Sequence, residues 1–562
     1  MRVTADAGVR SKARRLALGL LAAAPPLAAL VVITRLRVNV PWGDDWDLIP
    51  AVLRAMSGRL EWADLWSQHN EHRMVLVKAI VIALAGLNRF DLRAELWVGF
   101  VMTVATLLLL RHLLVGTLGR DRGETLTVMA SLCLFSTVFF EQWLWPIVAV
   151  QWTLQLLTLV TLAWILSRWP GQWRGLLLGL AVAMAGSLAV AAGVALTGVP
   201  ILAAIATSLA SGRRLPPGQL LVGVVVPIAF GAIYVHDLSV ARSETTLADG
   251  VAFWFAYLGS PLGFARPHMS AAIGVVGILL LAAGGAAAAA RDFRRALPWM
   301  VLAAEAIVVA SVIVLGRGFN GSAGAMVSRY AMVAALFWVA VAALVSLAVA
   351  VPAPAWWRRA ALVVAGLAAV AYASAYARGL NRALIFSRAQ SVGRTAVLSY
   401  ETAPDDVLQT AYPPSPAVLR RYARALEARR LGPFADRPPE APASAPRSDE
   451  PLVHAAPWGY EGIVESASCD RVSGWAWYPL DETPLVIEIH DGDELLGTTR
   501  ADLYRPDLRK AGKGDGAHAY SYAVDGRLAD GRPHVIRVRI AGVPGTLPRL
   551  GRGGPVVCPL LR

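Results

Sequence analysis

Apolar residues fill the first two thirds of this chain in blocks of about twenty, the length an α-helix needs to cross a bilayer. Such blocks occupy residues 16–37, 95–115, 124–140, 147–167, 174–192, 194–210, 218–236, 270–290, 297–316, 330–350 and 358–376. Met74–Leu87 is shorter, about four turns, and carries Lys78. Counted as a span, it would put Arg213-Arg214, Arg291/Arg294/Arg295 and Arg358-Arg359 outside, against the positive-inside rule. Laid along the interface, it returns them to the inside with Arg111/Arg120/Arg122 and Arg168/Arg174. The pattern therefore predicts a polytopic α-helical membrane protein of about eleven spans, N-terminus cytoplasmic and C-terminus periplasmic. Arg35 and Arg37, at the outer end of the first span, run mildly against this orientation. The basic N-terminus (Arg2, Arg10, Lys12, Arg14, Arg15) leads into a run that reaches Thr34 without a cleavage site and contains Pro25-Pro26. It reads as a retained span, not a removed signal.

Past residue 376 the pattern changes, so the membrane domain is expected to cover 1–376. Residues 377–435 read as a soluble, partly helical extension, with Val418, Leu419, Tyr422, Leu426 and Leu431 near helical spacing. Residues 436–457 are a Pro/Ala-rich linker. From 458 to 562 short alternating runs, such as 484–490 and 533–540, sit between Asp491-Gly492, Asp525-Gly526 and Asp530-Gly531. These are strand and turn signals, and they predict a small all-β C-terminal sandwich.

Composition agrees. The 562 residues are 56% hydrophobic and 16% charged, with a mean hydropathy of +0.52, more apolar surface than a soluble core could hide. The net charge of +14 comes from short basic clusters between apolar runs, a topology signal that argues against nucleic acid as a partner. Three cysteines exclude a disulfide scaffold and a thiolate metal site. Cys133 reads as buried filler, whereas Cys469 and Cys558 bracket the C-terminal region and are able to pair if it is periplasmic.

Polar chemistry collects on the predicted outer face. Directly after the first span comes Trp42-Gly43-Asp44-Asp45-Trp46-Asp47, then Gln68-His69-Asn70-Glu71-His72-Arg73. A carboxylate there, Asp44 or Asp45, is placed to take a proton from an acceptor hydroxyl beside a lipid head group. The plainer reading is that these acids cap the helix starting near Leu48. His72 and Arg73 suit a phosphate. Alternatively His69, Glu71 and His72 join Asp44 and Asp45 around a divalent metal. The spacing is not that of a His-Glu-x-x-His zinc protease. Gly316–Gly321 with Arg317, followed by Ser328-Arg329-Tyr330, offers two more arginines for a phosphate. Glu141 and Trp145, within Glu141-Gln142-Trp143-Leu144-Trp145-Pro146, suit sugar contact or interface anchoring. Glu305 is an acid inside a span, with no partner visible in sequence.

These motifs, in this order, resemble the GT-C fold membrane glycosyltransferases, and more narrowly a set of bacterial membrane proteins of surface-polysaccharide loci. The likeness covers roughly residues 15–435 and rests on Trp42-Gly43-Asp44-Asp45-Trp46, Gln68–Arg73 and Ser328-Arg329-Tyr330. It implies a bacterial inner-membrane enzyme with a polyprenyl-phosphate-sugar donor and a glycan or lipid acceptor. Asp44 or Asp45 would be its catalytic acid. Many relatives carry one Asp and one Glu there, so Asp-Asp leaves the base open between the two. The C-terminal region, with Ser473-Gly474-Trp475-Ala476-Trp477 and 501–508, resembles a β-domain appended to glycosyltransferases and surface proteins. Two rival classes remain: a flippase or transporter of a lipid-linked glycan, and a non-catalytic scaffold for polysaccharide assembly. The first should carry polar groups along its spans, where Glu305 is nearly alone.

Overall fold

The structure is a computed structural model. It describes residues 2–238, 245–318, 321–349, 355–435, 461–477, 484–492, 494–511, 513–524, 526–530, 532–541, 546–547 and 556–558. The expected linker 436–457, Phe319-Asn320 and the turn residues Asp525 and Gly531 lie outside the described residues. The chain divides into two units, Met1–Val392 and Gly393–Arg562.

The first unit is helical: α1 (Arg2–Leu36), a 3-10 helix Gly43–Leu48, α2 (Ile49–Met56), α3 (Trp62–Trp66), α4 (Val75–Asn88), α5 (Arg93–Leu118), α6 (Arg120–Leu134), α7 (Phe140–Leu144), α8 (Pro146–Arg168), α9 (Trp173–Ser187), α10 (Gly193–Leu196), α11 (Val199–Ala210), α12 (Pro217–Val235), α13 (Leu247–Gly263), α14 (Pro267–Arg317), α15 (Gly321–Gly324), α16 (Ala331–Ala348) and α17 (Ala355–Leu398). Among the described residues eight helices are long and apolar enough to cross a membrane: Lys12–Leu36, Arg93–Leu118, Arg120–Leu144, Pro146–Arg168, Gly193–Ala210, Pro217–Val235, Pro267–Arg317 and Ser328–Ala348. This is a multi-pass membrane protein.

The apolar runs 270–290 and 297–316 lie on two helical halves of α14 that meet at a kink at Asp292 (φ −154°, ψ 90°). Asp292 Oδ1 accepts from the Arg295 backbone N–H, so its side chain caps the second half the way an N-cap starts a new helix. Past residue 376, where the last expected span ends and a partly helical extension was expected, α17 runs on to Leu398. Hydropathy falls there, but Arg, Ala, Leu and Gln still favour helix. The short α4 matches the stretch predicted to lie at the interface, with Val75, Val77, Lys78, Val81 and Ala85 buried and Leu87 exposed.

In the second unit, α18 (Asp405–Ala411) and α19 (Pro416–Ala428) follow the end of α17. Of the residues expected to line α19, Leu419 and Leu426 are buried together with Ala423, Val418 and Tyr422 are half-buried, and Leu431 lies past the end of the helix. The strands are β1 (Glu461–Ala467), β2 (Arg471–Trp477), β3 (Val486–Asp491), β4 (Glu494–Arg500), β5 (Leu503–Tyr504), β6 (Ala517–Ala523), β7 (Pro533–His534), β8 (Ile536–Ile540) and β9 (Val556–Val557), with α20 (Pro506–Lys510) after β5. They form sheets of order β1-β2-β6-β5, β4-β3-β8 and β7-β9, paired antiparallel throughout. One core draws on the two larger sheets, with Val464, Val472 and Tyr520 from the first and Ile487, Ile489 and Val538 from the second. Cys469 and Cys558 are disulfide-bonded beside it. Trp475 and Trp477 are partly buried, and the Lys513 ammonium lies 5.7 and 5.0 Å from their ring centres.

Candidate functional site

Gly43 enters the 3-10 helix at φ +51°, and a Cβ there would come within 2.6 Å of the Trp145 ring. Both facts require glycine. A 3-10 helix has three residues per turn, so positions three apart eclipse. Asp44 and Asp47 therefore share a side, and Asp45 points elsewhere.

That register separates the two adjacent acids. Asp45 is buried; its Oδ2 accepts from Trp42 N–H and its Oδ1 from Ile147 N–H, both at 2.9 Å. Ile147 is the second residue of α8, after Pro146, so Asp45 satisfies an orphan amide at each of two helix starts. Burial pushes the Asp45 carboxyl well above the usual carboxylate range, which the two N–H donors offset only in part. The capping reading thus describes Asp45. Asp44 instead keeps a half-exposed carboxylate, whose Oδ2 accepts from Asn70 Nδ2 at 3.2 Å.

Asn70 belongs to a tight hairpin. His69 and His72 exchange both backbone hydrogen bonds, at 2.8 and 2.9 Å, and Asn70 takes φ +48°. The turn aims three side chains. His69 is buried, its Nε2 lies 4.0 Å from Asp44 Oδ2, and that nitrogen has no hydrogen-bond partner. His72 Nδ1 accepts from Ala191 N–H at 3.2 Å, and burial drives its pKa down to about 4. The imidazole is therefore neutral near pH 7, with its proton on Nε2. Glu71 accepts from Arg317 Nη2 at 2.7 Å. Burial pushes the Glu71 pKa up, but His72 and Arg317 outweigh it and hold the carboxylate below its ordinary value.

Arg329 is seated by residues far away in sequence. Its backbone N–H donates to Glu141 Oε2 at 3.0 Å and its Nη1 to both Glu141 oxygens at 3.3 Å. Its guanidinium lies 5.5 Å from the Trp145 ring centre and 5.1 Å from that of Tyr330. Ser328 Oγ donates to Val138 C=O at 2.7 Å and accepts from Glu141 N–H at 3.2 Å, fixing this segment on the break between α6 and α7.

These groups surround one cavity of about 100 Å³. Asp44, His69, Glu71, His72, Arg317, Arg329 and Tyr330 line it, with Val312, Ile313 and Gly316 from the last turns of α14. Of the residues singled out in sequence, Glu141 and Trp145 stand behind Arg329, outside the lining, and Asp45 is turned away. Arg73 is not brought to the cavity. Its Nε donates to Tyr234 C=O and its Nη1 to Trp66 C=O, both at 2.8 Å, while Nη2 donates to His236 C=O. Its guanidinium also stacks 4.9 Å over Trp66. It pins the end of α12 to the first loop and has no fork to offer a phosphate. Glu305 is fully buried with neither oxygen hydrogen-bonded, and it is not among the lining residues.

Sequence reading missed Gln151 and Trp152 of α8, which line the cavity. The amide Nε2 of Gln151 donates to Ala189 C=O at 3.2 Å. A glutamine inside an apolar run was the available signal. Lys78, legible in sequence only as a charge within a short apolar run, ties the end of α3 by donating from Nζ to the carbonyls of Asp64 and Ser67 at 3.0 and 2.7 Å. Burial lowers the pKa of that ammonium to about 8. The expected metal set is also redrawn. Asp45 spends both oxygens on backbone amides and His72 spends Nδ1 on Ala191. Among the described residues the set whose donor atoms converge is Asp44, Asp47 and His69. Comparison with family models, curated proteins and solved structures gave no match.

Proposed function

We propose that this protein is a GT-C-type membrane glycosyltransferase, moving a sugar from a polyprenyl-phosphate donor to a cell-envelope glycan or lipid acceptor at the periplasmic face of the inner membrane. The observation that carries this reading is the convergence of a half-exposed carboxylate, Asp44, with Arg317 and Arg329 on a single cavity, from segments some 280 positions apart in the chain. A base and two cations around one small space are what transfer from a lipid phosphate requires.

In this mechanism Asp44 takes the proton of the acceptor hydroxyl. The oxygen attacks the anomeric carbon, and the bond from that carbon to the phosphate oxygen breaks with inversion. The electron pair leaves on the lipid phosphate, where Arg317 and Arg329 meet the growing charge. Asp44 rather than Asp45 is taken as the base, because both Asp45 oxygens already accept backbone hydrogen bonds. Neutral His72 and Tyr330 offer hydrogen bonds to sugar hydroxyls.

The topology is read as eleven spans, with the bend at Asp292 counted as a cytoplasmic turn flanked by Arg291, Arg294 and Arg295. The Cys469–Cys558 disulfide supports an oxidising compartment for the C-terminal unit. The two larger sheets and their shared core are read as an accessory sandwich.

The test uses membranes containing the full chain and a radiolabelled polyprenyl-phosphate sugar. Transfer to envelope acceptor by the parent and its loss in Asp44→Asn, at unchanged expression, is the expected result. Undiminished transfer by Asp44→Asn sinks the assignment. Movement of donor across the bilayer without transfer would favour a flippase instead.

A further inference from the structure

We propose that Asp44, Asp47 and His69 form a binding site for one divalent cation at the edge of the cavity. The carboxylate oxygens of the two acids and a ring nitrogen of His69 all lie within 4.8 Å of one another. A cation bonded at about 2.0–2.2 Å holds its ligand atoms about 3 to 4.4 Å apart, so small side-chain rotations close the set.

A cluster of acids alone would be a solvated surface. The independent observation is His69: its side chain is 5% exposed, and its Nε2 is buried without a hydrogen-bond partner, 4.0 Å from Asp44 Oδ2. A buried ring nitrogen left unsatisfied is unusual, because such groups ordinarily find a partner. A metal ion completes it, and a neutral imidazole is the form that ligates.

The frame around these ligands is preformed. The 3-10 register eclipses Asp44 and Asp47. The reciprocal His69–His72 hairpin fixes the backbone of His69, and Asn70 Nδ2 orients the Asp44 carboxylate at 3.2 Å. Hydrogen bonds to ligating groups of this kind are how proteins aim metal ligands. An imidazole with two carboxylates favours Mn²⁺ or Zn²⁺ over Mg²⁺ and Ca²⁺. Three protein ligands leave positions open, and Asp44 and His69 face the same space as Arg317 and Arg329. The ion would meet an anionic ligand there, held by one Asp44 oxygen and leaving the other free. The site does not depend on the glycosyltransferase reading.

The experiment is a Mn²⁺ titration of the full chain in detergent after EDTA treatment and desalting, with free Mn²⁺ followed by electron paramagnetic resonance. One saturable Mn²⁺ per chain is expected, with affinity falling at least about tenfold in Asp47→Asn and in His69→Gln. Asp237→Asn, an acid 84% exposed elsewhere, should bind like the parent. Asp47 is exposed, so its variant should fold even if His69→Gln does not. Electron spin echo modulation from an imidazole nitrogen should accompany the bound ion. Absence of saturable binding of Mn²⁺ and Zn²⁺, or binding that both variants leave unchanged, overturns the proposal. Binding without sugar transfer leaves the cation site standing and removes the transferase reading. Transfer that persists in EDTA with no bound ion does the reverse.

Discussion

Arg317, the last residue of α14, donates its Nη2 to Glu71 of the first loop at 2.7 Å, across 246 positions of sequence. This one ion pair joins the wall of the cavity to the hairpin that carries its histidines. It also neutralises part of the charge on an arginine that the proposed chemistry needs. Both side chains are more than a third exposed, so the pair is a positioning contact rather than a large source of stability.

Separating its two roles needs a double-mutant cycle. Glu71→Gln and Arg317→Gln should each cost little stability, with a coupling of about 0.5–1 kcal/mol by thermal denaturation in detergent. Transfer activity should respond very differently, with Arg317→Gln losing about two orders of magnitude and Glu71→Gln far less. Equal losses from both would argue that Arg317 acts only through Glu71.

The two adjacent acids should part company in opposite assays. Asp44→Ala should abolish transfer and leave the melting temperature close to the parent's. Asp45→Ala orphans the buried Ile147 N–H and the partly buried Trp42 N–H and should cost about 2 kcal/mol, seen as a lower melting temperature. A stable Asp45→Ala protein would contradict the capping geometry.

Acid should loosen the site through His72. Its folded pKa, about 4, lies below the ordinary histidine value of 6.5. The unfolded chain therefore binds a proton first as pH falls, and stability drops from about pH 6.5 down to about 4. Above pH 6.5 both states are neutral there and the contribution is complete. Glu71, held below its ordinary value, adds a loss below about pH 4.5, the same direction at lower pH. A His72→Gln variant should show a flatter melting-temperature profile between pH 4 and 7, and an unchanged profile would count against a buried neutral imidazole.

The disulfide closes a loop spanning 89 positions, worth about 4–5 kcal/mol on the chain-entropy account. Cys469→Ser/Cys558→Ser should therefore raise protease sensitivity across 461–558 in the full chain, with the membrane unit unaffected. In intact cells a membrane-impermeant maleimide should label neither cysteine until a reductant is added. Labelling without reductant would mean the bond does not form.

Much of the membrane unit was legible in the chain because hydropathy is read over about twenty neighbouring residues, and α5, α8, α12 and α16 lie where that pattern put them. The length of α4 and the burial of Leu419 and Leu426 on α19 were legible for the same local reason. The motifs around Asp44, His69, Arg317 and Arg329 were visible as clusters of polar residues beside apolar runs. Arg73 shows where such reading stops: it sits in the middle of a motif, yet its donors are taken by carbonyls of Trp66, Tyr234 and His236.

By itself, then, the sequence determined that the chain is a multi-pass helical membrane protein with a β-rich C-terminal region, and which short segments gather polar residues beside apolar runs. Those properties depend on near neighbours and on the solvent each residue can tolerate. Only the tertiary structure decided that Asp45 caps α8 while Asp44 faces the cavity, that Glu71 answers Arg317, and that His69 converges with Asp44 and Asp47. Two adjacent aspartates are alike in sequence. A three-residue turn and the start of a helix 102 positions away make them different.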